Sequence, residues 1–501
     1  MKKLSLGVFD MMNPSNGMPT WRHPNGRADR YSDVGYWIGV AQLLETAGFD
    51  FLFFADTYGY PTIDGELPSQ VATAGIQFPG FDPMLMIAAL AQATTRIGFV
   101  VTSPTTVEKP YASARRYATL DHYTNGRIGW NIVTGSSQAT VDKLFGVTDE
   151  TTHDSRYDIG DEFVDISLAL WEGGWHDDAW VMDAARGMLV DPAKLHRTEY
   201  EGRYLSASGY FAVPPSRQRS PVLFQAGTSA RGRAFAARNA EVVLIQGQTV
   251  EKAAAHVAEI RAVAVGHGRA SGDIKVISGV TVTVAATSEE AWAKRRELEA
   301  LYEVDDAAVI YAGFTGVDYR GVDPATPLVV GTSDQGQTLV DRFAGGSGGG
   351  GAGAGSGAAG GARVPTVGEV LESFRMKANR GFQVTGSPAE VADELIAIAE
   401  GSDIDGFMLE PTFGDEQAYV EFIELVLPLL VARGAVGAAA TGGAAAAAAA
   451  AETAATSPAA TSPTLRERLF EPGRARLPAT HPGARFRPAP IASATPEETP
   501  A

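Results

Sequence analysis

Cysteine is missing altogether from the 501 residues, which removes disulfides, thiolate nucleophiles, cysteine-ligated zinc and iron–sulfur clusters at once. Basic residues are scarce: 41 Lys and Arg stand against 59 Asp and Glu, a formal net charge of −18, with no basic block. Nucleic acid and anionic lipid surfaces are therefore not expected partners. Long apolar runs are also lacking, since Glu421 and Glu424 interrupt the run around Phe422–Ala432 and the later polyalanine is too weakly hydrophobic to insert. The apolar N-terminal segment already turns polar at Asp10, too early for the core of a secretory signal. A soluble, cytoplasmic protein is expected. Absent too are Gly-x-Gly-x-x-Gly after the first apolar run, His-Glu-x-x-His, histidine pairs at metal spacing and a Gly-x-Ser-x-Gly elbow. A dinucleotide fold, a metal site and an unaided hydrolase lose ground, and a borrowed organic cofactor carrying a phosphate gains it.

What remains is a large folded body and two segments of biased composition. Gly345 to Ala362 is almost entirely Gly, Ala and Ser, and residues 435–501 are dominated by Ala, Pro and Thr. Both read as low-complexity and disordered, so the folded domain is expected to span 1–434, with 345–362 as a loop. Within 3–432, strand-length apolar runs at Leu4–Phe9, Phe51–Phe54, Ile97–Val101, Ile128–Val133, Val222–Gln225, Val242–Ile245, Val276–Val284 and Phe407–Leu409 alternate with helical periodicity. Eight such units predict an α/β fold, a (β/α)8 TIM barrel, with insertions at about 57–80, 135–157, 173–220 and 305–365.

A barrel of this kind places its chemistry at the C-terminal ends of its strands. Asp56 ends the second run, Thr102 the third and Asn131 to Ser136 the fourth, while Gln225-Ala226-Gly227-Thr228-Ser229 hands a strand over to a helix. Ser229 is an N-cap candidate whose helix terminus also suits a phosphate. Asp56 is either pocket floor or cap. His153 and Tyr157, four residues apart, share a face if that stretch is helical. Trp21, Arg22 and His23 follow the first strand, where Arg22 would suit an anionic group or serve structure alone. His122 is expected to pack at a helix end.

Thr102-Ser103-Pro104-Thr105-Thr106, Ala114-Arg115-Arg116-Tyr117 and above all Asp121-His122-x-x-x-Gly126-Arg127-x-x-Trp130-Asn131-x-Val133-Thr134 make the sequence recognisable. Supporting matches include Phe53-Phe54-Ala55-Asp56, Arg156-Tyr157 and Gly386-Ser387-Pro388-Ala389-Glu390, so that the match spans about residues 3–434. The chain resembles the bacterial luciferase-like flavin monooxygenases, in the branch of nitrilotriacetate monooxygenase, dibenzothiophene-sulfone monooxygenase and pristinamycin synthase. The resemblance implies a luciferase-like barrel that takes FMN as FMNH2 from a separate NAD(P)H:flavin oxidoreductase. It implies O2 as co-substrate and a C4a-peroxyflavin that oxygenates a small organic molecule. By motif it assigns FMN contacts to Asp56, Thr102, His153, Tyr157 and Ser229, with Ser229 at the phosphate, His153 and Tyr157 along the ribityl-phosphate, and Asp56 and Thr102 near the rings. It names no catalytic residue and no metal, and family habit suggests a homodimer or homotetramer. The alternatives are an F420-dependent oxidoreductase of the same superfamily and a non-catalytic FMN-binding flavoprotein.

Overall fold

The expected strands close on themselves. Numbering only those that form the barrel, they are β1 (Ser5–Met11), β2 (Phe51–Ala55), β3 (Gly98–Pro104), β4 (Ile128–Val133), β5 (Val222–Gln225), β6 (Val242–Ile245), β7 (Lys275–Val284) and β8 (Gly406–Leu409). All pairings are parallel in sequence order, and β8 returns to β1 with Ser5 opposite Gly406 and Val8 opposite Leu409. This computed structural model describes residues 2–15, 18–135, 138–147, 152–227, 229–328, 364–377, 380–410, 416–437 and 462–489. The Gly-rich stretch 345–362 lies outside them. No helix among them is long and apolar enough to cross a membrane.

Strand alternation sorts the side chains into two layers. Leu52, Phe54, Val101, Ile132, Leu223, Val243 and Phe407 point outward into the cluster shared with the helices. Phe51, Phe53, Val100, Phe224, Leu244, Ile277 and Met408 point inward and fill the barrel. Phe9 stacks on Phe53 at 5.7 Å, and Phe51 meets Phe224 edge-on at 5.3 Å. The interior is thus a packed aromatic and aliphatic plug, not a channel.

Three features differ from the sequence reading. The insertion 173–220 forms two antiparallel hairpins, Trp180–Asp183 with Met188–Val190 and Arg197–Glu201 with Ser206–Tyr210. An additional strand, Phe382–Gly386, pairs with the far half of β7 from Val280 to Val284, where β7 has outgrown the barrel. Most consequential, the expected disordered tail is not one along its whole length, because residues 462–489 are folded against the body. There the short helix Leu465–Leu469 starts in a capping box made by Thr464 and Glu467, and Leu465 and Leu469 are buried in the barrel-interior cluster. Leu465 N–H donates to Gly126 O at 2.9 Å, on the turn that leads into β4, so this strap stoppers the N-terminal end of the barrel.

Burial there is possible because the charges are answered. Arg466 and Glu241 are both fully buried and paired at 2.7 Å. Arg468 meets Asp50, Arg474 meets Asp273, Arg476 meets Asp177, Arg485 meets Asp165 and Arg487 meets Glu172, at 2.5–3.1 Å. Every arginine after residue 434 therefore has its own carboxylate on the body. Composition signals neither the partners nor the burial.

At the other end, a second apolar cluster containing Val71, Ile76, Tyr311, Leu371 and Phe374 joins the helices Ser69–Ala74, Val304–Thr315 and Val367–Lys377 into a small lobe. It is tied to the loop after β1. Trp21 Nε1–H donates to Ala74 O at 2.7 Å, and Arg22 donates to Asp306 at 2.7 Å and Leu301 O at 3.0 Å. Arg22 accordingly serves as a structural tether, with Asp306 fully buried beneath it, instead of presenting a free charge to a substrate.

Candidate active site at the C-terminal mouth of the barrel

One step of strand period beyond the apolar plug, the inward positions become polar. Thr102 lies two residues after Val100, Asn131 two after Gly129, Gln246 two after Leu244 and Glu410 two after Met408. They are joined pairwise across the floor. Asn131 Nδ2 donates to Thr102 Oγ1 at 3.0 Å, and Thr102 Oγ1 donates to Phe54 O at 2.9 Å. Gln246 Nε2 donates to Glu410 Oε1 at 2.8 Å. Two acceptors are left over: Asn131 Oδ1 and Gln246 Oε1 are buried with no hydrogen-bond partner. An unpaired buried acceptor is costly, and a ligand carrying donors would relieve both.

Thr102 therefore belongs to the mouth as expected, but its hydroxyl is already committed and acts by aiming Asn131. Asp56 stands beside it at the end of β2. Its Oδ1 accepts the backbone N–H of Tyr58 at 2.9 Å, holding Tyr58 at φ 56°. The same carboxyl lines a cleft of about 1160 Å³ running outward from Met11, Ala55 and Asp56. Asp56 is thus both the cap and the wall that the sequence left as alternatives. Burial, reinforced by the nearby Asp82 carboxylate, raises its pKa to about 6.

The helix Ala230–Asn239 follows β5, with Ser229 as its N-cap: Ser229 Oγ accepts the Gly232 N–H at 3.0 Å. Glycine permits the close approach of groups around this terminus. A Cβ on Gly232 would fall 2.7 Å from the Tyr157 hydroxyl and 3.1 Å from Ser229 Oγ, and one on Gly227 would fall 2.9 Å from the Gly232 Cα. Tyr157, Ser229 and the exposed end of the helix dipole are therefore brought together, an arrangement suited to an anion. Phe235 packs on the Tyr157 ring at 5.5 Å, and Arg231 lies over it at 5.4 Å while paired to Asp158 and Asp161. His153 opens the helix His153–Leu168, four residues before Tyr157, and its side chain lies outside the described residues, as does Thr228.

Among the residues that carried the resemblance, the structure separates support from site. Asp121 is fully buried and accepts from Ser216 and, at 2.7 Å, from Gln218 Nε2. His122 bonds Pro214 O at 3.0 Å near its helix end, as expected. Arg127 is buried with its guanidinium on the carbonyls of Ala91, Thr94 and Ile97, and burial without a carboxylate partner lowers its pKa to about 10. Of that motif, Asn131 faces the mouth. Gln246 and Glu410 were not singled out from sequence; the signal that finds them is their position two residues beyond an inward-facing apolar side chain.

The profile described as Luciferase-like monooxygenase matches residues 17–406. The chain is 34% identical over 490 residues to a long-chain alkane monooxygenase of Geobacillus thermodenitrificans, covering 97% of this chain and 98% of that protein. It is 32% identical to a dibenzothiophene-sulfone monooxygenase of Rhodococcus erythropolis over 85% of this chain and 92% of that one. Among solved structures, a riboflavin lyase with modified FMN and riboflavin superposes with a TM-score of 0.85 at 38% identity, over 97% of this chain and 100% of that chain.

Proposed function

The chain belongs to the luciferase-like monooxygenase family, and from that premise we propose that it is the oxygenase component of a two-component system. In this reading it receives FMNH2 from a separate NAD(P)H:flavin oxidoreductase, uses O2 and inserts one oxygen atom into a small organic molecule. The observation that supports it most directly is the pair of buried, unpaired acceptors, Asn131 Oδ1 and Gln246 Oε1, on the barrel floor. Together with the glycine-lined helix terminus, they fit a ligand that has a donor-bearing ring at one end and a phosphate at the other.

Ser229, Tyr157 and the N–H groups opening the helix Ala230–Asn239 would hold the phosphate, while Asn131, Gln246 and Asp56 would border the ring system. Thr102 would act through Asn131. Reduced FMN, when bound, supplies the electrons that activate O2. The protein's own part is to orient substrate against the floor and exclude water, and the packed plug beneath and the small lobe beside the mouth serve that end. Asp56, with a carboxyl near neutrality in its titration, can hold a proton on Oδ2 at the edge of the site. Assembly as a homodimer or homotetramer in the cytoplasm accompanies this reading.

Anaerobic titration with FMN before and after reduction tests it, followed by oxygen uptake on admitting air. Tighter binding of the reduced form, oxygen consumption, and weaker binding by Ser229→Ala and Asp56→Ala are expected. Binding of F420 in place of either flavin form would sink the oxygenase reading. A second reading, favoured by the 38% identity to the riboflavin lyase, is that the oxygenated substrate is itself a flavin. Chromatography of riboflavin incubated with enzyme, FMN, reductase and air decides it by the presence or absence of a ring-modified product.

A further inference from the structure

The cleft leading to Asp56 has a chemical character of its own. Its inner wall is apolar and soft, made by Met11, Met12, Phe78 and Met84, all of them buried or partly buried. Thioethers adapt to irregular apolar ligands because they are unbranched and polarisable. The neutral polar groups beside them are turned onto sulfur: Asn13 Nδ2 lies 3.7 Å and Gln77 Nε2 3.9 Å from Met11 Sδ. Among the described residues, this inner wall offers one buried acceptor without a partner, Asn13 Oδ1, and no cation.

The ionisable groups on the cleft point the same way. Its carboxyls are Asp56, Asp82 and Glu108, against Arg115 and Arg116. Arg116 is spent on Glu108 at 2.7 Å, and Glu108 also accepts from Tyr58 OH at 3.2 Å. Arg115 lies on the exposed flank of the helix Pro110–Tyr123. Behind the wall, Arg27 donates to Met11 O and Asn13 O and is paired with fully buried Asp10 at 2.6 Å. Among the described residues of the cleft, a carboxylate substrate would shed water against three carboxyl groups and meet an uncommitted countercharge only at exposed Arg115 on the outer flank, whereas an apolar chain gains by leaving water.

We propose that this cleft selects an uncharged, largely apolar substrate and rejects polyanions. The inference rests on the mouth being the oxygenation site, and deepens that reading by naming the class of molecule it receives.

The test uses full-length protein and three probes, 1-decanol, decanoate and nitrilotriacetate, in calorimetric titrations at pH 8. 1-Decanol binds at least about tenfold more tightly than decanoate, since like charge and unpaired burial both oppose the anion, and nitrilotriacetate does not bind. Met12→Arg lowers decanol affinity at least about tenfold by placing a cation on the apolar wall. Glu108→Gln, which releases Arg116 without removing volume, narrows the discrimination against decanoate. Equal or tighter binding of either anion, no binding of decanol, or indifference to both variants overturns the proposal. FMN titration of the same samples is read separately. Loss of flavin binding in every sample defeats the flavin reading and leaves the charge preference of the cleft to stand or fall on its own.

Discussion

The two ends of the barrel solve opposite problems with the same residue types. At the N-terminal end the strap 462–489 inserts Leu465 and Leu469 into the interior and matches each of its arginines to a separate carboxylate. At the C-terminal end the inward side chains are polar, two acceptors go unanswered and a carboxyl sits at the edge of ionisation. Both ends leave some buried polar atoms without partners, but every arginine of the strap has an opposite charge, whereas among the described residues Asp56 at the mouth has none. Stability and function should therefore be separable by mutation along one axis.

The largest effect is expected from truncation after Gly437, which removes the stopper and strands its acidic partners. The melting temperature should fall by on the order of 10 °C or more in a thermal scan. Next comes Arg466→Met, which leaves Glu241 charged and buried. A loss of about 3–5 kcal/mol is expected from urea unfolding, while FMN affinity at the far end stays within about twofold. If flavin binding collapses alongside stability, the two ends are coupled and the contrast fails.

At the mouth the order reverses. Ser229→Ala should weaken FMN by about tenfold in the titration, with a stability cost of about 1 kcal/mol from the lost cap. The smallest effect belongs to Asp56. Because burial raises its carboxyl to about 6 from an unfolded value of roughly 3.9, the folded protein holds that proton longer than the unfolded chain. Its destabilising contribution is absent below the unfolded value, grows between the two and is complete above pH 6. Asp56→Asn should therefore be more stable than the parent at pH 7 and indistinguishable from it near pH 4, as read from unfolding midpoints.

The same contrast governs how much was legible in the sequence. The barrel was, because alternating β and α periodicities are local signals, and β4, β5 and β6 fall on the expected residues. Asp56, Thr102, Tyr157 and Ser229 were legible as strand-end or helix-start positions, and the structure sets Tyr157 beside Ser229 and Asp56 next to the strand of Thr102. The floor was only half legible. Gln246 and Glu410 meet across strands far apart in sequence, and only the barrel's inside-outside alternation reveals them. The strap was hidden altogether. Its Ala, Pro and Arg look like unstructured filler until Glu241, Asp50 and Asp273 supply partners hundreds of residues earlier. The two roles open to Arg22 stay undecided in the sequence for the same reason, since its partner, Asp306, lies in an insertion with no local link to it.

The seam between β8 and β1 has a consequence in time. Ser5 finds Gly406 only after nearly the whole chain has been made, and the stopper is translated later still. On the ribosome the growing protein must therefore carry an open-edged sheet, with its first strand unpaired on one side, through most of its synthesis. The acidic excess accompanies the chain throughout, since residues 435–501 add six Arg against five Glu, and like charge opposes edge-to-edge pairing of neighbouring nascent chains.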